Sequence, residues 1–379
     1  MRMYVYTPQF YIRPRNTDWL YNHLLPRVSE FNSGLDVYLQ QSTLCTLKEN
    51  LRKAAEITKG RLHLPLPNAL MSKQDSIFSR RDVLRAKPDF IYGHSPSNID
   101  DVPVAFNCGP TYPEVLRELG ESEAFIARDI RVKQRCAARA TLVVSHSHSN
   151  LHNLMTLFPE QAGKMRCLPF FLPHLEAVPE EAVAAKFTSI DRIQCLFVGR
   201  EARRKALPEV LRAFQELSQR FPSRLRLKII TSFADGAVDV PAHPDIELLG
   251  ETPRDEVQRL LRQSHFLLVP SHVEMYGWIY LEAMAAGCIP VAACGPNQKE
   301  ILADGQAGLP TGPDPARIRE ALLPYLLHPE TLLPLALSAV RRCKNEYLPG
   351  VIAKRFQEIG EETISLFQST ARTKSSKEA

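Results

Sequence analysis

The second half of this chain has a rhythm that few architectures can accept. Short apolar runs that end at glycine or serine alternate with amphipathic stretches of helical period. QCLFVG (residues 194–199) reads as a strand, and ALPEVLRAFQELSQRF (206–221) as a helix whose Val210, Leu211, Phe214 and Leu217 share one face. LRLKIITS, IELLG, the helical PRDEVQRLLRQS, HFLLVPS, a helix around YLEAMAAG, and CIPVAA continue the alternation. Strands separated by helices pair in parallel. Such a sheet is stable only when both faces are covered, which predicts a doubly wound α/β domain. The first half repeats the pattern less regularly. MYVYT, LDVYLQ, FIYGH, VPVAFNC, TLVVSH and MRCLPF are its candidate strands, and EAFIARDIRVKQRCAARA is its clearest helix.

At 379 residues the chain exceeds the roughly 250–300 residues over which one core grows, so two such domains are expected. Residues 172–192 change to Pro, Glu and Ala without a strand signal, which marks a linker with its hinge at Pro173 to Lys186. The expected units are residues 1–175 and 186–350, a helix over 351–370 after the Pro349–Gly350 break, and a flexible polar tail over 371–379. A content of 44% hydrophobic and 23% charged residues excludes a largely disordered chain. Apolar runs are too short or too broken for a spanning helix, and Pro8, Arg13, Pro14 and Arg15 interrupt the start where a signal core would lie, so a cytoplasmic protein is expected. A net charge of +5 calls for no nucleic-acid partner. The eight cysteines are scattered, with no CxxC pair, as free thiols in a reducing compartment would be.

In two doubly wound domains facing a cleft, ligands bind at the carboxyl ends of the strands. After HFLLVPS the chain reads HVEMYGWIYLEAMAAG, with Glu274 in the loop, Gly277 and Trp278 opening a helix, and Glu282 inside it. Backbone N–H groups at a helix start suit a phosphate, and glycine lets the backbone approach it. A carboxylate further along can accept two hydrogen bonds from a ribose diol, and the loop carboxylate can bind a sugar hydroxyl. At the end of the first strand of this half, Gly199 and Arg200 precede Arg203, Arg204 and Lys205. Arg200 and Lys205 are read as a diphosphate clamp, Arg203 and Arg204 as exposed loop cations. The two loops together form a nucleotide-sugar site. His146 and His148 in SHSHSN have no acidic or cysteine residue beside them in the chain, and capping by Ser147 or Ser149 explains that segment better than a metal. Tyr4, Tyr6, Phe10, Tyr11, Trp19 and Tyr21 are divided between core and an acceptor platform.

The strand ending VPS, the pair Glu274 and Glu282 spaced by seven residues, and the helix LEAMAAG resemble the signature of retaining GT-B glycosyltransferases of family 4. FVGR with the following RK, and GPNQKEILADGQAGL (295–309), resemble that family's other donor-side blocks, while KPDFIYGH and ARATLVVSHSHSN resemble first-domain strands ending in histidine and serine. The resemblance implies the GT-B fold, with two Rossmann-like domains around a central cleft and a last helix that crosses back onto the first domain. It implies that Glu282 holds the ribose, Glu274 the donor sugar, and Arg200 and Lys205 the diphosphate, with His94 facing the reacting sugar from the other domain. The chain departs from the family where TPQFYIRPRNTDW replaces a glycine-rich first loop, and where Ala206 stands in place of glycine after the lysine.

The expected reaction is transfer of a sugar from a UDP- or GDP-sugar to a hydroxyl of a glycan or lipid-linked acceptor, with retention. No paired-aspartate motif that would hold a divalent ion beside the diphosphate is present, so neither metal nor other cofactor is expected. Basic and apolar residues mix over 47–73 and 79–87, which would suit peripheral contact with a membrane carrying a lipid-linked acceptor. A role in cell-envelope glycan synthesis follows from the family analogy alone. Two other classes remain open: a nucleotide-sugar epimerase or hydrolase, and a non-catalytic nucleotide-sugar-binding subunit.

Overall fold

The computed structural model describes residues 1–6, 27–39, 83, 85–93, 101–232 and 238–378. The first unit comprises β1 (Arg2–Tyr6), α1 (Val28–Phe31), β2 (Asp36–Leu39), β3 (Phe90–Gly93), β4 (Val104–Asn107), α2 (Pro113–Glu118), α3 (Glu123–Arg139), β5 (Leu142–Ser145), α4 (His148–Leu157) and β6 (Met165–Cys167). The second comprises α5 (Glu180–Phe187), β7 (Ile193–Val198), α6 (Leu207–Arg220), β8 (Leu225–Ile230), β9 (Ile246–Leu248), α7 (Arg254–Gln263), β10 (Phe266–Val269), α8 (Trp278–Ala285), β11 (Ile289–Ala292), α9 (Pro296–Ile301), β12 (Leu309–Pro310), α10 (Pro315–Leu327) and α11 (Leu332–Glu346). A last helix, α12, spans Pro349–Glu378.

Among the described residues each unit is built on one six-stranded sheet, in the orders β2-β1-β3-β4-β5-β6 and β12-β11-β10-β7-β8-β9. Every strand pairing among the described residues is parallel. Central strands β3, β4, β5, β10 and β11 are buried at every residue, as sheets covered on both faces require. On α6 the apolar stripe seen in the sequence, Val210, Leu211, Phe214 and Leu217, turns into the core. Burial of each such side chain contributes about 1.5–3 kcal/mol.

Three expectations about the ends of these units need correction. The second half of the expected hinge is folded: α5 docks on the second unit, where Val178 N–H donates to Ala285 O at 2.9 Å and Lys186 Nζ donates to Gly287 O at 2.6 Å and Ser264 O at 3.0 Å. Pro179 serves as the residue before the helix rather than as a breaker. The tail expected to be flexible continues α12 to Glu378, because ARTKSSKE contains no proline or glycine to stop it. Pro349 likewise starts that helix instead of interrupting it. Helix α12 lies on the first sheet. Asn32 Nδ2 donates to Gln357 Oε1 at 2.8 Å, Tyr92 and Phe356 pack edge to face at 5.0 Å, and Arg166 Nε donates to Glu362 at 3.0 Å.

Candidate active site

From β7 the second sheet grows through β8 and β9 to one side, and the chain then returns to add β10, β11 and β12 on the other. The loops leaving β7 and β10 therefore diverge, and the crevice between them is the switch point where doubly wound sheets bind ligands. The corresponding strands of the first sheet end at Tyr6 and Gly93. His94, Tyr11, Trp19 and residues 47–73 lie outside the described residues.

The loop after β7 folds back on itself. A Cβ at Gly199 would lie 2.8 Å from Cγ of Lys205, so the absence of a side chain at 199 lets the lysine stem cross the strand end. Ala206, the residue before α6, has φ +63° and ψ +36°, the left-handed conformation that glycine adopts more easily. The loop after β10 is tighter. Gly277 has φ +96°, and a Cβ there would come within 2.3 Å of the Tyr280 ring. That ring is fully buried, with its hydroxyl donating to Val269 O at 2.8 Å.

These two loops bring Lys205 and Glu274 into an ion pair beside Gly199. Arg204 joins them: its Nη1 donates to Val273 O at 2.7 Å and lies 3.9 Å from the Glu274 carboxylate. The expectation that Arg204 is an exposed cation is thus corrected, since Glu201 and Val273 hold it against the site, whereas Arg203 is exposed. One carboxylate with 12% of its side chain exposed faces two cations, which leaves positive charge for an incoming anion. Arg200 is exposed at the start of the same loop, ahead of the Lys205–Glu274 pair.

Glu282 lies in a second cluster. Its Oε1 accepts from Arg254 Nη2 at 2.8 Å and is 2.9 Å from Nε2 of His174, a residue of the segment between the two units. Neither partner was legible as a site residue, because His174 sits in what reads as plain linker and Arg254 in an exposed helix start. Trp278 packs against Phe170 at 5.5 Å, and Phe170 also meets Tyr276 at 4.7 Å and stacks on His146 at 3.7 Å. An aromatic seam thereby joins the end of the first unit to the loop after β10.

Helix α9, from the GPNQKEI block, braces that loop. Gln298 Nε2 donates to Tyr276 O at 2.8 Å and to Glu274 O at 3.3 Å, and Asn297 Nδ2 donates to Met275 O at 2.6 Å. Glu300 reaches the first unit, accepting from His148 N–H at 2.8 Å, Ser149 N–H at 2.7 Å and Ser149 Oγ at 2.7 Å at the start of α4. The sequence shows no acidic or cysteine residue near His148, yet in space Glu300 and Cys167 bring ligand atoms within 4.8 Å of it. The Glu300 carboxylate accepts from the α4 amides, a contact between the domains, while burial first and Glu300 second push the Cys167 thiol up to about 12.

Two doubly wound domains, a last helix crossing back onto the first, and a site at the switch point of the second define the GT-B architecture. Comparison with solved structures agrees. HepE of Anabaena, solved in complex with UDP, superposes with a TM-score of 0.64 at 14% identity, over 94% of this chain and 99% of that one. WaaG, a glycosyltransferase involved in lipopolysaccharide biosynthesis, superposes with a TM-score of 0.59 at 14% identity, over 95% and 99%. Residues 192–327, within the second domain, match the family model described as glycosyl transferases group 1. D-inositol 3-phosphate glycosyltransferase of Frankia alni is 32% identical over 163 residues, 39% of this chain and 40% of the relative. The enzyme of the same name from Corynebacterium diphtheriae is 24% identical over 247 residues, 60% of this chain and 58% of the relative. The matched stretch is thus less than two thirds of either relative. No helix among the described residues is long and apolar enough to cross a membrane.

Proposed function

We propose that this protein is a retaining glycosyltransferase that moves a sugar from a UDP- or GDP-sugar to a hydroxyl of a glycan or lipid-linked acceptor without a metal ion. The observation that carries this reading is the Lys205–Glu274 pair, set over Gly199 and next to the left-handed Gly277 at the sheet's switch point. The nucleotide-bound state of HepE and the name of the Frankia alni relative support it.

Negative charge develops on the diphosphate as the glycosyl C–O bond breaks. Lys205, Arg200 and the amides at the start of α8 stabilise that charge, the part a divalent ion would otherwise play. Arg204 keeps Glu274 paired when Lys205 turns to the phosphates. Glu274 then orients hydroxyls of the donor sugar, and Glu282 holds the ribose in exchange for part of its contact with His174 and Arg254. In a same-face displacement the acceptor oxygen bonds to the anomeric carbon on the side the phosphate leaves, and its proton passes to the departing phosphate oxygen. Closure of the two domains excludes water and limits donor hydrolysis. His94 is assigned to the reacting sugar from the first domain, and a lipid-linked acceptor would bring the protein to the cytoplasmic membrane face, in cell-envelope glycan synthesis.

The test is a panel of UDP-, GDP- and ADP-sugars in chelator, with nucleotide release followed with and without pooled glycan and lipid-linked acceptors. Release that depends on an acceptor is expected. Release that ignores acceptor would replace this reading with an epimerase or hydrolase, and tight donor binding without turnover would replace it with a binding subunit.

A further inference from the structure

We propose that Asn297 is a positioning residue that couples the loop carrying Glu274 to the approach of the first domain, through Tyr112 of that domain; this deepens the donor-site reading above and rests on it. The Asn297 side chain is buried and uses both ends of its amide. Its Oδ1 accepts from Tyr112 Oη at 3.0 Å and from Ser147 Oγ at 2.7 Å, both in the first domain, while its Nδ2 donates to Met275 O at 2.6 Å in the second. The amide cannot be reversed without loss, because Met275 O has no proton to offer to an oxygen. Two donors from one domain therefore fix which way the amide points into the other.

The first-domain partners are themselves held. Ser147 Oγ accepts from Asn150 N–H at 3.0 Å, Asn150 Nδ2 donates to Ser145 Oγ at 2.8 Å, and Thr111 N–H donates to Asn150 Oδ1 at 3.1 Å. Tyr112 and Ser147 thus sit on a bonded platform formed by the loops after β4 and β5. Burial pushes the Tyr112 hydroxyl above its ordinary range, so it remains a donor at neutral pH. Gln298, the next residue, provides an internal comparison. Its amide donates to Tyr276 O and Glu274 O, both within its own domain. Three consecutive carbonyls of the loop, 274 to 276, are therefore pinned by two adjacent amides, and Asn297 is the one whose amide also bonds Tyr112 and Ser147. When the domains part, Oδ1 loses both donors while Nδ2 keeps its acceptor, and the loop is released from the first domain. Closure would then set the position of Glu274 as well as exclude water.

The experiment uses the full chain with Tyr112→Phe, which removes one hydroxyl, and with Asn297→Ala, Gln298→Ala and the pairwise combinations with Tyr112→Phe. Turnover with the donor and acceptor found in the panel, nucleoside diphosphate affinity by calorimetry, and amide exchange over residues 274–277 are measured together. Tyr112→Phe is expected to lower kcat about fivefold, the factor one neutral hydrogen bond carries. Nucleoside diphosphate affinity should stay within about twofold, while exchange over 274–277 rises. In the Asn297→Ala background Tyr112→Phe should add nothing, whereas with Gln298→Ala its effect should add in full. Independent effects of Tyr112→Phe and Asn297→Ala, or unchanged exchange over 274–277 in Tyr112→Phe, would overturn the coupling. Absence of nucleotide binding by the unmodified protein would sink the donor-site reading instead, and the exchange cycle would still decide the coupling.

Discussion

His265 should make the second domain sensitive to acid. It stands just before β10, 6% exposed, where its Nδ1 accepts from Gln194 N–H at 2.9 Å and its own N–H and C=O bond to Gln194 O and Ile289 N–H at 2.8 Å each. Protonation of Nδ1 would break the first bond and place a cation near Lys186 in a buried setting. Burial first, and Lys186 second, push the histidine from its ordinary 6.5 down to about 4. The folded state therefore holds fewer protons than the unfolded chain between those values, and stability falls as pH drops from about 6.5 through about 4. The full loss is the shift in pKa multiplied by 1.36 kcal/mol, about 3 kcal/mol. Carboxylates titrate in the same range, so the quantity to measure is the difference between the unmodified protein and His265→Asn, whose side-chain oxygen can still accept from Gln194. Denaturant unfolding at intervals from pH 7.5 to 4 should give curves that differ in slope, with the variant losing less. Parallel curves would show that His265 does not contribute to the acid sensitivity.

Two further perturbations act on the loops after β7 and β10. Gly277→Ala places a Cβ against the Tyr280 ring at a left-handed φ, and strain plus overpacking should cost roughly 2–5 kcal/mol of unfolding free energy, read by denaturant titration. Ala206→Gly relieves a left-handed alanine at the start of α6 against a larger loss of chain entropy, and the net change should be a gain of up to about 1 kcal/mol with nucleotide binding intact, read by melting temperature and calorimetry.

The parts of the molecule visible in the sequence are those set by short-range pattern. The β7–α6 alternation, the burial of β10 and β11, and the placement of Gly277 before a helix holding Glu282 all follow from periodicity and local punctuation. What escaped are contacts between distant segments. Arg204 looks like its exposed neighbour Arg203 until Val273 and Glu274 fold over it, and His174 looks like linker until α8 presents Glu282. Asn297 was visible only as part of a motif block; its bonds to Tyr112 and Ser147 span 185 and 150 residues of chain. Strand β12 is two residues long, too short for alternation to reveal. Helix α5 was hidden by the prolines around it, and the end of α12 by a composition equally suited to a solvated tail and a solvated helix.

If the Lys205–Glu274 and Glu282 clusters form one donor site, nucleotide binding depends on both. Calorimetric titration of UDP and GDP into the unmodified protein, Lys205→Met and Glu282→Ala, with chelator present, tests it most directly. At least one of the two nucleotides is expected to bind, and each substitution is expected to weaken that binding about 10-fold or more, the range for a lost hydrogen bond to a charged group. Equal affinities in all three proteins, with folding intact, would contradict it and remove the donor site from this crevice.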